Sequence, residues 1–173
     1  MPSKSNLNAD PNVPMAPTPA AEGVDHNGLV VGKWKSPIFA CYSSCIPNAF
    51  MSFACPGVSV AQICARLGLA NFYAVLFGYL SVYGLVLIAA VTHIAVVTTL
   101  AVITSVLALL FSIRIRFRMR YLFSISGSLM EDLASSICCS CCAVAQMADH
   151  AESFESGSCA IAPRATLQGY TFG

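Results

Sequence analysis

Four of the five residues at 138–142 are thiols: Cys138, Cys139, Cys141 and Cys142 surround Ser140. The run holds two overlapping Cys-x-x-Cys pairs, Cys138 with Cys141 and Cys139 with Cys142. That spacing lets two thiolates meet one soft ion such as Zn²⁺ or Cd²⁺. On a helix, Cys138, Cys142, Gln146 and His150 recur every four residues, so one face carries two thiols, an amide and an imidazole. A full ligand shell then requires donors from Cys41, Cys45, Cys55 or Cys64. The same thiols also suit a different chemistry: cysteine packs as a small apolar residue near a membrane, and cytosolic juxtamembrane thiols accept palmitate. No Ser/His/Asp order, P-loop or glycine-rich dinucleotide turn is present, and Glu131, Asp132, Asp149 and Glu152 are accounted for by helix capping and solvent exposure. A non-enzymatic protein is therefore expected.

The thiols lie on either side of an element that must position them. From Phe72 to Ile113 the chain contains no Asp, Glu, Lys or Arg, with Arg66 before the run and Arg114, Arg116, Arg118 and Arg120 after it. As one helix the run would be roughly 60 Å long, twice the hydrocarbon thickness of a bilayer. It therefore reads as two passes that reverse near Thr92 and His93, over 72–91 and 94–113. Gly78, Gly84, Thr98, Thr99, Thr104 and Ser105 are the small and hydroxyl residues expected to let the two helices approach in lipid. Basic residues at both outer ends place those ends in the cytosol, with His93 as a wet loop residue near the opposite face. The four arginines are expected to anchor the second pass to anionic headgroups. Cys41, Cys45, Cys55 and Cys64 then share the cytosolic side with Cys138–Cys142.

Composition agrees with a lipid-embedded chain. The 173 residues are 57% hydrophobic and 10% charged, a surplus of apolar surface that a soluble domain of this size does not hide. The net charge of +1 offers no global basic field for nucleic acid. The first 32 residues include five prolines and lack periodicity, so a disordered tail is expected, and no apolar core of signal-peptide length is present there. The cysteine count is nine, an odd number, and a cytosolic setting favours reduced thiols.

Shorter elements follow from caps and prolines. Pro37, Pro47 and Pro56 cut the uncharged stretch 36–65 into pieces too short to span a bilayer, and Pro56 suits the first turn of a helix through Val58–Leu67. Ser128 with Glu131 has capping-box spacing, so a helix is expected from Leu129 to about His150. The Ser- and Gly-rich end, 153–173, reads as a flexible tail. The expected architecture is a mainly α, small Cys-rich helical membrane protein: a tail over 1–32, a Cys-rich domain over 33–152 interrupted by a transmembrane hairpin at 72–113, and a C-terminal tail.

One order of motifs runs through the chain: Trp34, Phe39 and Cys41, then Phe53, Cys55, Pro56 and the segment through Ile63. It continues through Arg118, Arg120 and Tyr121, then Gly127 and Ser128, Glu131 and Asp132, and closes on Cys138 through Gln146. That order resembles the cysteine-rich placenta-specific gene eight family. It covers residues 34–152. That family includes plant cadmium-resistance proteins, fruit-weight and cell-number regulators, and cornifelin. Many members have Cys-Pro-Cys where this chain has Cys55, Pro56 and Gly57, and many have Asp-Cys where it has Asp132 and Leu133. The resemblance implies divalent-metal (Cd/Zn) tolerance or transport, or regulation of cell number. A plasma-membrane location with both termini cytosolic is expected, with a homo-oligomer as a candidate assembly. Cys55, Cys138, Cys141 and Cys142 are then the expected metal ligands, and zinc is the candidate ion. The alternative is a non-catalytic, membrane-tethered scaffold that carries palmitate on its thiols and binds no metal.

Overall fold

A computed structural model of the chain describes residues 23–38, 50–154 and 161–169. Cys41, Cys45 and Cys159 lie outside the described residues. Among the described residues six helices follow one another: α1 (Phe50–Ala54), α2 (Pro56–Arg66), α3 (Phe72–Thr92), α4 (Ala95–Leu122), α5 (Leu129–Cys138) and α6 (Ser140–His150). There is no strand among the described residues beyond one isolated bridge between Val24 and Val30.

α3 and α4 form the expected hairpin, each long and apolar enough to cross a membrane. Asn71 caps α3 by accepting the Tyr73 N–H at 2.9 Å. His93 ends α3 in a left-handed conformation at φ 52°, and its N–H closes on the Ala89 carbonyl. Histidine is among the residues that adopt this conformation without glycine's freedom, which explains a tight reversal in a segment without Gly or Pro. Outward-facing residues include Phe77, Leu80, Leu87, Ile88, Val91, Val96, Val102 and Leu107, an apolar surface of the kind lipid covers.

The contact between the two helices differs from the expectation. A side chain at Gly78 or Gly84 would meet nothing within 4 Å, so both glycines face open space. The hydroxyls of Thr98, Thr99, Thr104 and Ser105 bond back to carbonyls one turn earlier on α4. The polar link across the hairpin is instead Tyr79, whose hydroxyl lies 2.7 Å from Ser112 Oγ and donates to the Ala108 carbonyl at 3.2 Å. A buried backbone or hydroxyl group in an apolar setting needs such a partner, and α3 supplies it with an aromatic side chain.

α4 extends to Leu122, nine residues beyond the uncharged run, and carries all four arginines with it. Below the hairpin a compact core gathers Leu29, Val60, Ile63, Cys64, Leu67, Ile115, Met119, Phe123, Val144, Met147 and Leu167. Two of these residues come from segments expected to be loose tails. Asp25 Oδ1 accepts the Asn27 and Leu29 N–H groups, a turn that points Leu29 into the core at 2% exposure. The segment 161–169 forms no helix or strand, but Leu167 is buried, its N–H donates to the Arg66 carbonyl, and the Gln168 carbonyl meets His26 and Asn27. Isolated apolar residues in a polar stretch leave no periodic signal, so neither contact could be read from the sequence pattern.

The single helix expected over 129–150 is two. Ser128 caps α5 as expected, accepting the Glu131 N–H at 3.2 Å. The chain then turns at Cys139, which has φ −149° and ψ 76°, and restarts as α6. A continuous helix would separate Asp132 and Gln146 by about 21 Å, yet both bond the same guanidinium, that of Arg116. The corner is the geometric consequence of that shared partner.

Candidate thiol site and the buried network that holds it

The corner between α5 and α6 collects three thiols. The Sγ atoms of Cys139, Cys141 and Cys142 all lie within 4.8 Å of one another. Cys139 stands in the N-cap position of α6, while Cys141 and Cys142 occupy its first turn, so a Cys-x-x-Cys pair and its neighbour converge without help from any other element. Cys139 and Cys142 are joined as a disulfide, and Cys141 Sγ is 3.5 Å from Cys139 Sγ. Reduced thiols were expected throughout, so this pair is a departure. Helical spacing accounts for it: residues three apart lie on the same side of one turn, and here the first of them has left the helix.

Of the four cysteines expected as ligands, the structure brings Cys141 and Cys142 into this group. Cys138 is exposed at the last position of α5 and Cys55 is exposed at the α1–α2 corner, both outside the group. Cys139 takes the third place. Cys64 is a core residue at 0% exposure, and burial pushes its thiol up to about 12, so it behaves as a small hydrophobe. The helical face of Cys138, Cys142, Gln146 and His150 does not exist as one surface, because the break at Cys139 separates the first residue from the other three.

Gln146 and His150 have other partners. Arg116 is buried at 3% exposure and donates from Nε to Asp132 Oδ1 at 3.1 Å and from an Nη to Gln146 Oε1 at 2.7 Å. Arg120, 7% exposed, donates to Asp132 Oδ2 at 2.7 Å and to the Ser128 carbonyl at 2.8 Å. One carboxylate, itself 1% exposed, thus serves two guanidiniums. The excess positive charge is spread further: the Arg116 guanidinium carbon lies 4.4 Å from the centre of the Trp34 ring, a cation–π contact. Gln146 turns its amide N–H toward the Ser36 carbonyl at 2.8 Å. His150 accepts the Lys35 N–H at Nδ1 and is boxed by the edges of Trp34 and Phe123. Burial lowers its pKa to about 4, so the ring is neutral at physiological pH.

This network corrects the reading of the arginines as four headgroup anchors. Residues four apart share a helical face, so Arg116 and Arg120 point into the core and Arg114 and Arg118 point outward. It also gives Asp132 a role beyond the cap, since Glu131 is exposed while Asp132 is buried. The signal was present: Ile113, Arg116, Met119, Arg120 and Phe123 form one helical stripe with Ile115 at its margin, and a charged residue on an apolar stripe implies a buried partner. Gly127, at φ 145°, is required beside it, because a side chain there would meet the Arg120 guanidinium. The network ties α4, α5, α6 and the 34–36 segment together around the thiol corner.

The model for the PLAC8 family aligns to residues 34–150, from the tryptophan that stacks on Arg116 to the histidine that closes the network. No curated protein and no solved structure matches the chain.

Proposed function

The chain belongs to the PLAC8 family, and on that premise we propose that it is a non-enzymatic membrane protein that captures a soft divalent cation, Cd²⁺ or Zn²⁺, at Cys139, Cys141 and Cys142, in metal tolerance or transport. The observation that carries this reading is the convergence of three sulfurs within 4.8 Å. Two thiolates that each bind Zn²⁺ at about 2.3 Å in tetrahedral geometry stand roughly 3.8 Å apart, and Cys139 and Cys141 are at 3.5 Å. The Cys139–Cys141 spacing and the sulfur chemistry suit a soft ion, and Cys142 becomes a third donor once its bond to Cys139 is reduced. The ion is cargo, and the chain supplies sulfur donors, their spacing and the rigid frame behind them.

Capture requires the dithiol form. The Cys139–Cys142 bond takes up two electrons and two protons from a thiol reductant such as two glutathione molecules, which leave as glutathione disulfide. Metal binding then releases the thiol protons. In this proposal the hairpin holds the corner at the plasma membrane, and the positive-inside rule favours a cytosolic side for the corner and both termini.

Purified full-length protein, reduced and then titrated with Cd²⁺, tests the proposal through the ultraviolet thiolate-to-metal charge-transfer band. Wild type is expected to saturate near one ion per chain. Serine at positions 139, 141 and 142 together should abolish the band, whereas Cys55→Ser should leave it intact. A wild type with no band, together with acyl-exchange labelling at 138–142, would instead identify a palmitoylated scaffold.

A further inference from the structure

The stretch 50–60 is not part of the hairpin, yet it lies against it at a depth that lipid would occupy. α2 runs alongside α3 in the opposite direction, with its C-terminal Arg66 near the base of the hairpin and its N-terminus directed toward the tip. Gly57 marks the level. A side chain there would come within 2.6 Å of Tyr79 Cβ, so the Gly57 backbone packs directly on the Tyr79 side chain. Tyr79 stands seven residues into α3 and fourteen from His93, which places it about 10 Å above Phe72 and about 21 Å from the tip, inside a hydrocarbon layer of about 30 Å. α1 precedes this point and packs on both α2 and α6, so the chain rises from the α6 side, turns at Cys55 and Pro56, and descends as α2.

Two further features suit such an elbow. Phe50 is 60% exposed and Phe53 is 78% exposed, while their neighbours Met51 and Ser52 are buried, so α1 turns an aromatic face outward. The start of α2 also satisfies its own backbone. Pro56 has no N–H, Gly57 N–H donates to the Tyr83 hydroxyl at 3.2 Å, and the Val58 and Ser59 N–H groups both return to the Cys55 carbonyl at 3.0 and 3.3 Å. The Cys55 N–H bonds the Met51 carbonyl at 2.9 Å. A helix start normally leaves these donors to a polar cap or to water. Here Tyr83 and the elbow itself take them, which is what irregular backbone at membrane depth requires. No charged residue occurs between Ser36 and Ala65.

We propose that α1 and the first turn of α2 form a shallow re-entrant elbow seated in the bilayer beside the hairpin, with Phe50 and Phe53 in contact with lipid acyl chains. This inference rests on the hairpin's crossing the membrane and adds a third membrane-inserted element to it. The two ideas separate experimentally. Full-length protein carrying Phe53→Trp, Phe50→Trp, Phe77→Trp or Thr166→Trp is reconstituted in bilayer discs containing lipids with dibrominated chains, which quench tryptophan on contact. Emission is compared with that of the parent, whose one tryptophan is Trp34.

Thr166→Trp reports the aqueous baseline and Phe77→Trp reports an outward position on α3. Phe53→Trp and Phe50→Trp are expected to lose emission to the same extent as Phe77→Trp and to shift to shorter wavelength. Both residues are exposed, so the substitutions leave packing intact. Quenching at Phe77→Trp with none at positions 50 and 53 overturns the elbow and leaves the hairpin standing. Absence of quenching at all three overturns both.

Discussion

Asp132→Ala gives the sharpest test of how the thiol corner is held. The Asp132 carboxylate is 1% exposed and lies at 3.1 Å from Arg116 Nε and 2.7 Å from an Arg120 Nη, so its removal leaves two buried guanidiniums without the carboxylate that bonds them both. Removal of one partner from a buried ion pair costs about 3–5 kcal/mol. For a domain whose total stability is on the order of 5–15 kcal/mol, this is a large fraction. At about 2–4 °C per kcal/mol for a chain of this length, Tm should fall by roughly 6–20 °C. Thermal unfolding in detergent, followed by tryptophan emission, measures it directly, because Trp34 stacks on Arg116 and reports the network itself.

Arg116→Ala should cost less, since Asp132 keeps Arg120. Simultaneous replacement of Arg116, Arg120 and Asp132 by Met, Met and Leu should recover most of the loss, because an apolar cluster of similar volume carries no desolvation penalty. If Asp132→Ala lowers Tm by less than about 3 °C, or if the apolar triple is worse than the single substitution, the buried triad does not hold this fold and the reasoning fails.

Acid sensitivity should trace to His150. Its pKa is lowered by burial from 6.5 to about 4, so the folded state resists a proton that the unfolded chain accepts. Stability from this residue is complete above pH 6.5, falls as pH drops toward 4, and amounts to about 3 kcal/mol in all. His150→Phe should flatten the Tm profile between pH 6.5 and 4, and an unchanged slope would refute the assignment. Gly57→Ala should destabilise by about 1–3 kcal/mol through contact with Tyr79, measured as a lower Tm; a Tm equal to wild type would show that α2 does not press on α3 there. Gly127→Ala, which forces φ 145° on a side chain and pushes against Arg120, should lower Tm and raise the rate at which the 139–142 thiols react with maleimide after reduction. A thiol rate equal to wild type would uncouple the network from the corner.

The hairpin is legible in the linear chain, because lipid imposes a length and a charge rule that a residue pattern can meet or break. Forty-two residues without a charge admit two helices, and the reversal falls at His93 in the structure as the length requires. Local chemistry determined the helix starts for the same reason: Pro56 at the first turn of α2 and the Ser128 cap of α5 act within one turn of chain. Family membership was legible too, since it lies in the order of short motifs.

Pairings between residues distant in the chain emerge with the fold. Four arginines at alternate positions look equivalent on paper, and the turn of α4 sorts them into two core residues and two outward ones. Asp132 has the spacing of a capping residue, yet in the fold it bonds both guanidiniums. The corner at Cys139 has no Gly or Pro to announce it; it exists because Asp132 and Gln146 must reach one Arg116. That corner in turn chose the thiols, admitting Cys139 and leaving Cys138 outside. Spacing limits which sulfurs can meet, but the energy of a buried charge network decides which of them do.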